Sequence, residues 1–325
     1  MTVIFKLLSM LAGALLALIP LVTAAQGTAS FPTRPLRIVV PTPPGGASDT
    51  AARLLSQSLS ASLGQQVIVE NKPGASGAIA VQAVMAAPAD GYTLLWGLSS
   101  MAGLPILQKN PPFQQMSELT PVSNVLNFGY GLFVSNNVPA RNIAELAAYG
   151  KANPGKLSYA TGTLGEYMFC AYVFKALGVD AVRVPYKGGV QLMPDLINGL
   201  VHVNIGPIAV GMQHARAGKL KMIATALPQR SAAMPDVPTL AEAGVTGLNL
   251  PTWNGVFAPP GTPRDVVTKL STAIVQALAN PTLRNTLEQQ GSQVIGSTPQ
   301  QLAETVEASA QSWRNFVRDY DVPQE

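Results

Sequence analysis

Three local signals follow one another in the stretch Leu36-Arg37-Ile38-Val39-Val40-Pro41-Thr42-Pro43-Pro44-Gly45-Gly46-Ala47-Ser48-Asp49. The first five residues are mostly β-branched and apolar, which is typical of a buried strand. The proline and glycine run that follows cannot continue a strand and predicts a turn. Ser48 or Asp49 can then cap a helix, because their side-chain oxygens accept hydrogen bonds from first-turn amides. This order predicts the first unit of an α/β fold.

Strands and helices continue to alternate after this stretch. Apolar residues recur every fourth position from Ala51 to Leu63, and Gly64 ends the predicted helix. Two more strands, Val67–Val69 and Thr93–Trp96, flank a small-residue helix over Gly77–Ala87. The pattern predicts a parallel α/β lobe.

The same alternation restarts after residue 140. The stretch Val122–Val134 is apolar but interrupted by asparagine and glycine, and we interpret it as a connection between two lobes. A second α/β lobe is expected to follow. Its predicted elements are helix Ile143–Lys151, strand Leu157–Ala160, helix Tyr167–Leu177, strand Val182–Pro185, helix Val190–Asn198, strand Val201–Ile205 and strand Leu220–Ala226.

Two helices near the C terminus carry start signals. A cap residue followed by proline occurs at Thr262-Pro263 and again at Thr298-Pro299. Trp313 and Phe316 lie on the apolar stripe of the last helix, so both are predicted to be core residues.

The first 25 residues have the build of a secretory signal peptide. Lys6 precedes an apolar run over Leu7–Val22, and Thr23-Ala24-Ala25 offers small residues for cleavage. An uncleaved membrane anchor is the alternative, since the apolar segment approaches the length that spans a bilayer. Cleavage is favoured because no positive stop-transfer cluster follows. We therefore expect a periplasmic protein with residues 1–25 as its signal peptide.

Composition limits the remaining chemistry. The chain has 325 residues, 47% hydrophobic and 12% charged, which suits two ordered domains. Its net charge of +4 is scattered, so we expect no nucleic-acid partner. One cysteine, Cys170, and two histidines, His202 and His214, provide neither a disulfide nor material for a metal site. No cofactor is expected.

Catalytic motifs are missing from the sequence. The serine-hydrolase elbow fails at Gly97-Leu98-Ser99-Ser100-Met101, and neither a Walker loop nor Gly-x-Gly-x-x-Gly is present. Cys170 lies among apolar residues of a predicted helix, where a buried, inert thiol is expected. We therefore expect a protein that is not an enzyme.

Two loops lie where an open α/β sheet binds ligands, beyond the carboxyl ends of its strands. In the first, Pro43–Asp49, two glycines let the backbone approach a ligand, and the following helix N terminus attracts an anion. The second, Thr161–Tyr167, offers hydroxyls and amides. Each alone could be an ordinary turn. Their occurrence on separate lobes favours a small molecule clamped between them.

Ordered motifs from Phe31 to the C terminus strengthen this interpretation, and the chain resembles the Bug family, the solute-binding proteins of tripartite tricarboxylate transporters. The motifs are Phe31-Pro32-Thr33-Arg34-Pro35, Val40-Pro41 with Pro43-Pro44-Gly45-Gly46 and Asp49, Val69-Glu70-Asn71-Lys72-Pro73-Gly74-Ala75, Pro88-Ala89-Asp90-Gly91-Tyr92-Thr93-Leu94, Val184-Pro185-Tyr186-Lys187-Gly188-Gly189, Pro235-Asp236-Val237-Pro238-Thr239-Leu240-Ala241-Glu242-Ala243-Gly244 and Ala258-Pro259-Pro260-Gly261-Thr262-Pro263.

The resemblance implies a two-lobed, type II-like periplasmic binding protein. Each lobe is expected to be a mostly parallel sheet flanked by helices, with the ligand cleft between the lobes. Lobe 1 should comprise residues 26–125 and 250–325, and lobe 2 residues 126–249. The implied partners are a small organic acid and the membrane subunits of the transporter, and we expect a monomer. Closure should hinge at Asn124–Gly131 and Leu248–Gly255, where glycine and asparagine absorb backbone change.

The resemblance also implies the binding residues. Many family members hold one ligand carboxylate through backbone groups and ordered water of the first loop. They read the distal end with the second loop, here Thr161–Tyr167, and with the segment after Val203. Ser99 and Ser100 are further donors, and Trp253 is expected either to line the cleft or to pack at the hinge. Asp49 is expected to orient its loop, since like charges repel, and Lys187 to be structural or rim-facing. The other positions are Pro44, Gly45, Gly46, Ser48, Thr161, Gly162, Thr163, Gly165, Glu166, Tyr167 and Gly206.

Two departures from the family pattern concern the distal end. Gly165, Glu166 and Phe169 stand where relatives often have glycine, a small hydroxyl residue and histidine, and Gly206-Pro207 stands where many carry aspartate. An ionised Glu166 beside a ligand carboxylate would be unfavourable. We therefore expect a distal pocket suited to an aromatic, amide or cationic end, unless Glu166 points to solvent as a first-turn acid.

A receptor for a periplasmic two-component system is the alternative function, since sensing and transport both need only ligand-dependent closure.

Overall fold

A computed structural model describes residues 31–111, 113–227, 229–230, 234–248, 250 and 252–320. The predicted signal peptide lies outside these residues. Phe31–Thr33 belong to an N-terminal unit, and the helices and strands of the described residues belong to one compact unit that begins at Arg34.

The strands and helices of this unit alternate as predicted through both halves of the chain. The strands are β1 Leu36–Val40, β2 Val67–Asn71, β3 Thr93–Leu98, β4 Thr120–Phe128, β5 Tyr130–Ser135, β6 Leu157–Thr161, β7 Ala181–Pro185, β8 Val203–Pro207, β9 Leu220–Thr225, β10 Trp253–Ala258 and β11 Ser292–Val294. The helices are α1 Ala47–Leu63, α2 Ala78–Met85, α3 Leu104–Leu107, α4 Ile143–Ala152, α5 Leu164–Leu177, α6 Gly189–Asn198, α7 Ile208–Arg216, α8 Arg264–Ala279, α9 Pro281–Gln289 and α10 Pro299–Tyr320. Short 3-10 turns cover Ala75–Gly77, Ser99–Gly103 and Met116–Glu118.

Two sheets organise these elements. The first has the strand order β11-β4-β10-β3-β1-β2, and the second has the order β7-β6-β8-β5-β9. In the first sheet β1 is parallel to β2 and β3, with Leu36 opposite Val67. In the second, β6 is parallel to β7 and β8. These parallel groups are the strand–helix–strand units that the sequence predicts.

The two-lobed α/β prediction is confirmed, but both sheets are mixed rather than mostly parallel. Strand β10 is antiparallel to β3 and β4, β11 to β4, and β5 to β8 and β9. Parallel pairing requires a long crossover, usually a helix. Strand β5 follows β4 after a single residue, and the chain reaches β10 of the first sheet from β9 of the second sheet. Neither strand is joined to its sheet neighbours by a crossover helix, so both can pair antiparallel.

The apolar stretch Val122–Val134, which we interpreted as a connection between two lobes, does contain the crossing between the sheets, and its residues form parts of two strands. Strand β4 ends in the first sheet at Phe128, and β5 begins in the second at Tyr130. Between them, the Gly129 amide donates to the Gly291 carbonyl at 2.9 Å. A Cβ at Gly129 would overlap that oxygen, so the crossing needs glycine. The exact lobe boundaries stay a prediction.

The helix starts differ from prediction at two of three sites. Glycine, not Ser48 or Asp49, caps α1: Gly46 has the extended cap conformation, and no side chain caps the helix. Thr262 does not cap α8, because its hydroxyl donates to the Pro259 carbonyl. Thr298 behaves as predicted, since it exchanges hydrogen bonds with Gln301 in a capping box.

The last helix supplies much of the core around the first sheet. Leu302, Trp313 and Phe316 of α10 are buried in one apolar cluster with residues of β3 and β10, which confirms the core prediction for both aromatic residues. Gly103 lies so close to the Trp313 ring that a Cβ would overlap it.

One helix of the second half joins the same cluster. Helix α5 connects β6 to β7 of the second sheet, yet its residues Leu164 and Met168 are buried with Met101 and Trp313. Tyr167 of α5 also meets the ring of Phe316 edge to face, with 6.1 Å between centroids. The start of α5 is thus packed against the first sheet's core.

Within the described residues, none of the helices has both the length and the apolar character needed to cross a bilayer.

Leu302 and Leu200 allow a matched test of this packing. Leu302 is fully buried under β10, whereas Leu200 is 71% exposed. We expect Leu302→Ala to lower the free energy of unfolding by about 2–5 kcal/mol, because it leaves a cavity in the core. Leu200→Ala should change it by about 0.5 kcal/mol or less. Urea unfolding followed by circular dichroism measures both, and equal losses would contradict the packing of α10.

Candidate functional site

The first predicted loop joins β1 to α1. Gly45 has a φ of +81°, a left-handed conformation that favours glycine, and Pro44 and Gly45 are exposed. The helix begins directly after Gly46 without a side-chain cap. Its first-turn amides therefore lack partners within the helix.

Asp49 holds this loop in shape. Its carboxylate is buried, and it accepts hydrogen bonds from the Gly45 amide at 2.9 Å, Arg53 Nε at 3.0 Å and Asn71 Nδ2 at 2.8 Å. Burial opposes ionisation of Asp49, but these hydrogen bonds outweigh it and lower the pKa of the carboxyl. All these partners belong to the loop and its neighbours, as expected for a residue that orients the loop.

The second predicted loop joins β6 to α5. Thr163 caps α5 by accepting a hydrogen bond from the Glu166 amide at 3.2 Å. The Glu166 side chain turns back into the protein, where Oε2 accepts from the Gly162 amide at 2.6 Å and from Asn204 Nδ2 at 3.3 Å. Glu166 is only 2% exposed, so the alternative that it points to solvent is wrong.

Burial has a large effect on Glu166. Removal from water raises the pKa of Glu166 to about 7, although the hydrogen bonds from Gly162 and Asn204 act in the opposite direction. The hydroxyl of Tyr130 lies near this group, and burial raises its pKa as well. The site therefore contains a carboxyl group that titrates near neutral pH.

The two loops meet around one small cavity of about 40 Å³, which has room for only a few water molecules. Gly46 and Ser48 line it from the first loop, and Thr163 and Glu166 from the second. The remaining lining residues are Thr42, Pro43, Ala47, Gly188, Gly189, Val190, Gln191, Pro207 and Val210. Among the residues that the structure describes, no lysine or arginine lines this cleft cavity.

A wider cavity of about 390 Å³ adjoins it and shares Thr42, Pro43 and Thr163 with it. Ser100 and Gly162, both predicted site residues, line this side cavity, and Lys187 lies exposed at it. Its wall includes Ala75 and Ser76, which have φ values of +46° and +53°. Left-handed backbone at non-glycine residues is strained and concentrates at functional sites.

The structure places Trp253 away from both cavities. Its ring is buried, donates Nε1–H to Ser309 Oγ at 2.6 Å and packs against Phe257. It lines a different cavity together with Asn124 of the crossing strand β4. Of the two roles expected for Trp253, these contacts correspond to packing at the hinge.

The other predicted residues line neither the cleft cavity nor the side cavity, and they make internal contacts. Ser99 is buried, and its carbonyl accepts from Trp313 Nε1 at 3.3 Å. Thr161 is also buried and accepts from Arg183 Nε at 3.2 Å, while Tyr167 packs beneath the Arg183 guanidinium. Gly165 faces Tyr130 and Ser100, and Gly206 packs tightly against Asn204.

Several cleft residues were missed by the sequence analysis. Thr42 directly precedes the first predicted loop and lines the cleft cavity, and its buried Oγ1 has no hydrogen-bond partner. Gly188 and Gly189 line the cleft cavity and belong to one of the family motifs quoted above. That motif was the signal that could have identified them. Asn204, the second residue of β8, lies in the segment after Val203 that the resemblance implied, but nothing local to the sequence indicates its contact with Glu166.

Nothing among the described residues groups three side chains that could hold a metal ion. Cys170 is buried, which raises the pKa of its thiol. His202 Nδ1 lies 3.0 Å from the Ser158 amide and 2.9 Å from its hydroxyl, and burial lowers the histidine pKa. These contacts tie His202 to the sheet.

Comparison with known proteins agrees with this geometry. Residues 51–322 match the family described as "Tripartite tricarboxylate transporter family receptor". Protein BugT of Bordetella pertussis is 33% identical over 316 residues, which cover 94% of this chain and 97% of BugT.

Solved structures share the fold along most of the chain. The periplasmic binding protein BugD superposes with a TM-score of 0.86 at 32% identity, over 91% of this chain and 100% of BugD. R. palustris Rpa4515 with adipate gives 0.86 at 31% identity, over 90% and 98% of the two chains. MatC from Rhodopseudomonas palustris with bound malate gives 0.81 at 32%, over 88% and 100%. The family model and these similar proteins show that the chain belongs to the family described as "Tripartite tricarboxylate transporter family receptor", whose members are substrate-binding proteins and not enzymes.

Proposed function

We propose that this protein is an extracytoplasmic solute-binding protein that captures a small organic acid between its two lobes. It delivers the acid to the membrane subunits of a tripartite tricarboxylate transporter. The observation that carries the proposal is the cleft cavity, where Gly46 and Ser48 of one loop face Thr163 and Glu166 of the other.

The first loop has the chemistry to hold a carboxylate. The amides at the start of α1 carry no side-chain cap, and they lie at the positive end of a 17-residue helix. Because no cationic side chain lines the cleft cavity, the ligand carboxylate is bound by amides, hydroxyls and water. Adipate and malate, the ligands of two relatives of known structure, are small carboxylates.

The proposed setting is the periplasm. BugD is a periplasmic binding protein, and the N-terminal sequence has the build of a cleaved signal peptide over residues 1–25. The protein acts as a monomer whose lobes close on the ligand. Both crossings between the sheets, through Gly129 and through the segment between β9 and β10, allow such a hinge.

Glu166 determines what the second lobe recognises. Its carboxylate already occupies the Gly162 amide and Asn204 Nδ2, two donors that could otherwise bind a distal carboxylate of the ligand. A second carboxylate in the cleft would meet an acceptor instead of these donors. The distal pocket therefore suits an amide, cationic or aromatic end.

Native mass spectrometry tests the proposed function. Protein purified without denaturation from the periplasm of its host is expected to retain a small organic acid, because cleft closure slows ligand release. The same spectrum should give the mass of a chain that begins at Gln26. A protein that retains no acid and binds none from a carboxylate panel in calorimetry would contradict the proposal.

Ligands of equal length test the role of Glu166. We expect the monoamide of adipate and ε-aminocaproate to bind at least about tenfold more tightly than adipate at about pH 8, where Glu166 is ionised. Glu166→Gln should improve adipate binding and reduce this preference, as isothermal titration calorimetry measures.

The matched control is Glu304→Gln, which removes an exposed carboxylate on α10 and should leave the preference unchanged. Tightest binding of adipate by the unmodified protein, with no effect of Glu166→Gln, would refute the distal-pocket assignment. Acid binding in the cleft would then still stand.

Stability of the unliganded protein should depend on the same carboxyl. The pKa of Glu166 is about 7 when folded and 4.5 in the reference state, so the folded protein binds more protons between these values. The stability it confers is complete below the lower value and is lost as pH rises through the higher one. Relative to Glu166→Gln, the unmodified protein should lose about 2–3 kcal/mol between about pH 5 and pH 8 in urea unfolding. Parallel curves for the two proteins would contradict the prediction, and Glu304→Gln again serves as control.

A further inference from the structure

A further cavity of about 630 Å³ adjoins the cleft cavity and shares Ala47, Val190 and Val210 with it. It has no lining residue in common with the side cavity. Helices α6 and α7 form most of its wall, and the start of α1 completes it. We call this space the apolar chamber. The small cleft cavity therefore adjoins two larger spaces, the side cavity and the apolar chamber.

Hydrocarbon and thioether side chains cover most of the wall of the apolar chamber. Helix α6 contributes Val190, Met193 and Ile197, and α7 contributes Val210. Among the residues that the structure describes, no lysine, arginine, aspartate or glutamate lines the chamber. The side cavity differs, because hydroxyl groups and Lys187 line it. Of the two spaces next to the cleft cavity, the apolar chamber is the one that suits hydrocarbon.

Part of this apolar wall is open to water. The side chain of Val190 is 39% exposed. It is one of six large apolar side chains that are exposed among the described residues, and the other five line neither the chamber nor the cleft cavity. Apolar surface in contact with water is unfavourable, and its exposure in a groove marks a place where an apolar group binds. An apolar group in the chamber would cover this surface.

The cleft cavity is too small to enclose an organic acid. It measures about 40 Å³, whereas pockets that bury small ligands usually measure about 300–1,000 Å³. A carboxylate group can lie there against the uncapped first-turn amides of α1. The carbon chain attached to that carboxylate must then continue into an adjoining space.

We propose that the apolar chamber receives the hydrocarbon body of the acid whose carboxylate lies at the start of α1. The inference rests on the proposed function and names its substrate class, monocarboxylates with an aliphatic or aromatic body. The body lies against Val190, Ile197 and Val210. A second carboxylate at the far end of the body is disfavoured, since no lysine or arginine among the described residues lines the chamber.

Straight-chain monocarboxylates of increasing length test the proposal. Butyrate, hexanoate and octanoate carry the same charged end and differ only in the body. Each methylene that enters the chamber should tighten the dissociation constant about threefold to fourfold, so octanoate should bind at least about fiftyfold more tightly than butyrate. The heat-capacity change of binding should become more negative along the series. Adipate, which adds a carboxylate to hexanoate, should bind at least about tenfold more weakly than hexanoate.

Isothermal titration calorimetry of the full mature chain at several temperatures measures these quantities, with displacement titrations for the weak ligands. Two variants locate the body. Gln213→Trp fills the chamber from an exposed position outside the lining of the cleft cavity, and Ile197→Asp places a charge in the wall. Each should reduce the gain from butyrate to octanoate at least about tenfold. The matched control is Gln57→Trp, an exposed glutamine on α1 outside the lining, which should keep the gain.

Glu166→Gln separates the chamber from the distal-pocket assignment. Glu166 does not line the chamber, so this variant should keep the gain from butyrate to octanoate. Equal dissociation constants for butyrate and octanoate, or the same gain in Gln213→Trp as in Gln57→Trp, would overturn the chamber proposal. If adipate or its monoamide still bound, the proposed function would stand. Failure of every acid to bind would overturn both.

Discussion

Leu164 and Met168 belong to a helix of the second sheet, yet both side chains are buried in the apolar core of the first. Separating them from Met101 and Trp313 would expose apolar surface to water, which is unfavourable. The start of α5, including Thr163 and Glu166, is therefore held against the first sheet. The loop after β1 and the loop before α5 face each other across the cleft cavity in this arrangement, so opening of the cleft by a hinge must separate Leu164 and Met168 from the first sheet's core.

The carboxyl groups on the two sides of the cleft, those of Asp49 and Glu166, have different environments. Asp49 stays ionised because Arg53, Asn71 and the Gly45 amide surround it, and it shapes its loop without lining the cavity. Glu166 has only an amide and an asparagine as partners, and burial keeps its pKa near 7. The first carboxylate is a structural support. The second lines the cleft cavity, and its protonation state decides whether that wall presents a negative charge to the proposed ligand.

Local patterns predicted most of the strand–helix units, because β1, β2 and β3 and the helices between them obey ordinary periodicity. The failures arose where distant contacts override local preference. Asn124 and Gly129 are poor strand residues, yet pairing with β10 and β11 makes β4 a strand that ends directly at the crossing. The contact between Glu166 and Asn204 spans 38 positions, so the loop sequence alone left the direction of Glu166 open. The first loop was predictable because glycine, proline and a helix start lie next to one another.

Gly129 has a consequence for how this chain can vary. Only one residue separates β4 from β5, so the alternation of side chains between the two faces continues from β4 into β5. Insertion of a single residue at this point would move every side chain of β5 to the opposite face, so Leu132 and Val134 would exchange places with Gly131 and Phe133. Length changes should thus be tolerated in the exposed turns and not at this crossing. The crossing at which we propose that the two halves hinge also fixes the register of β5 relative to β4.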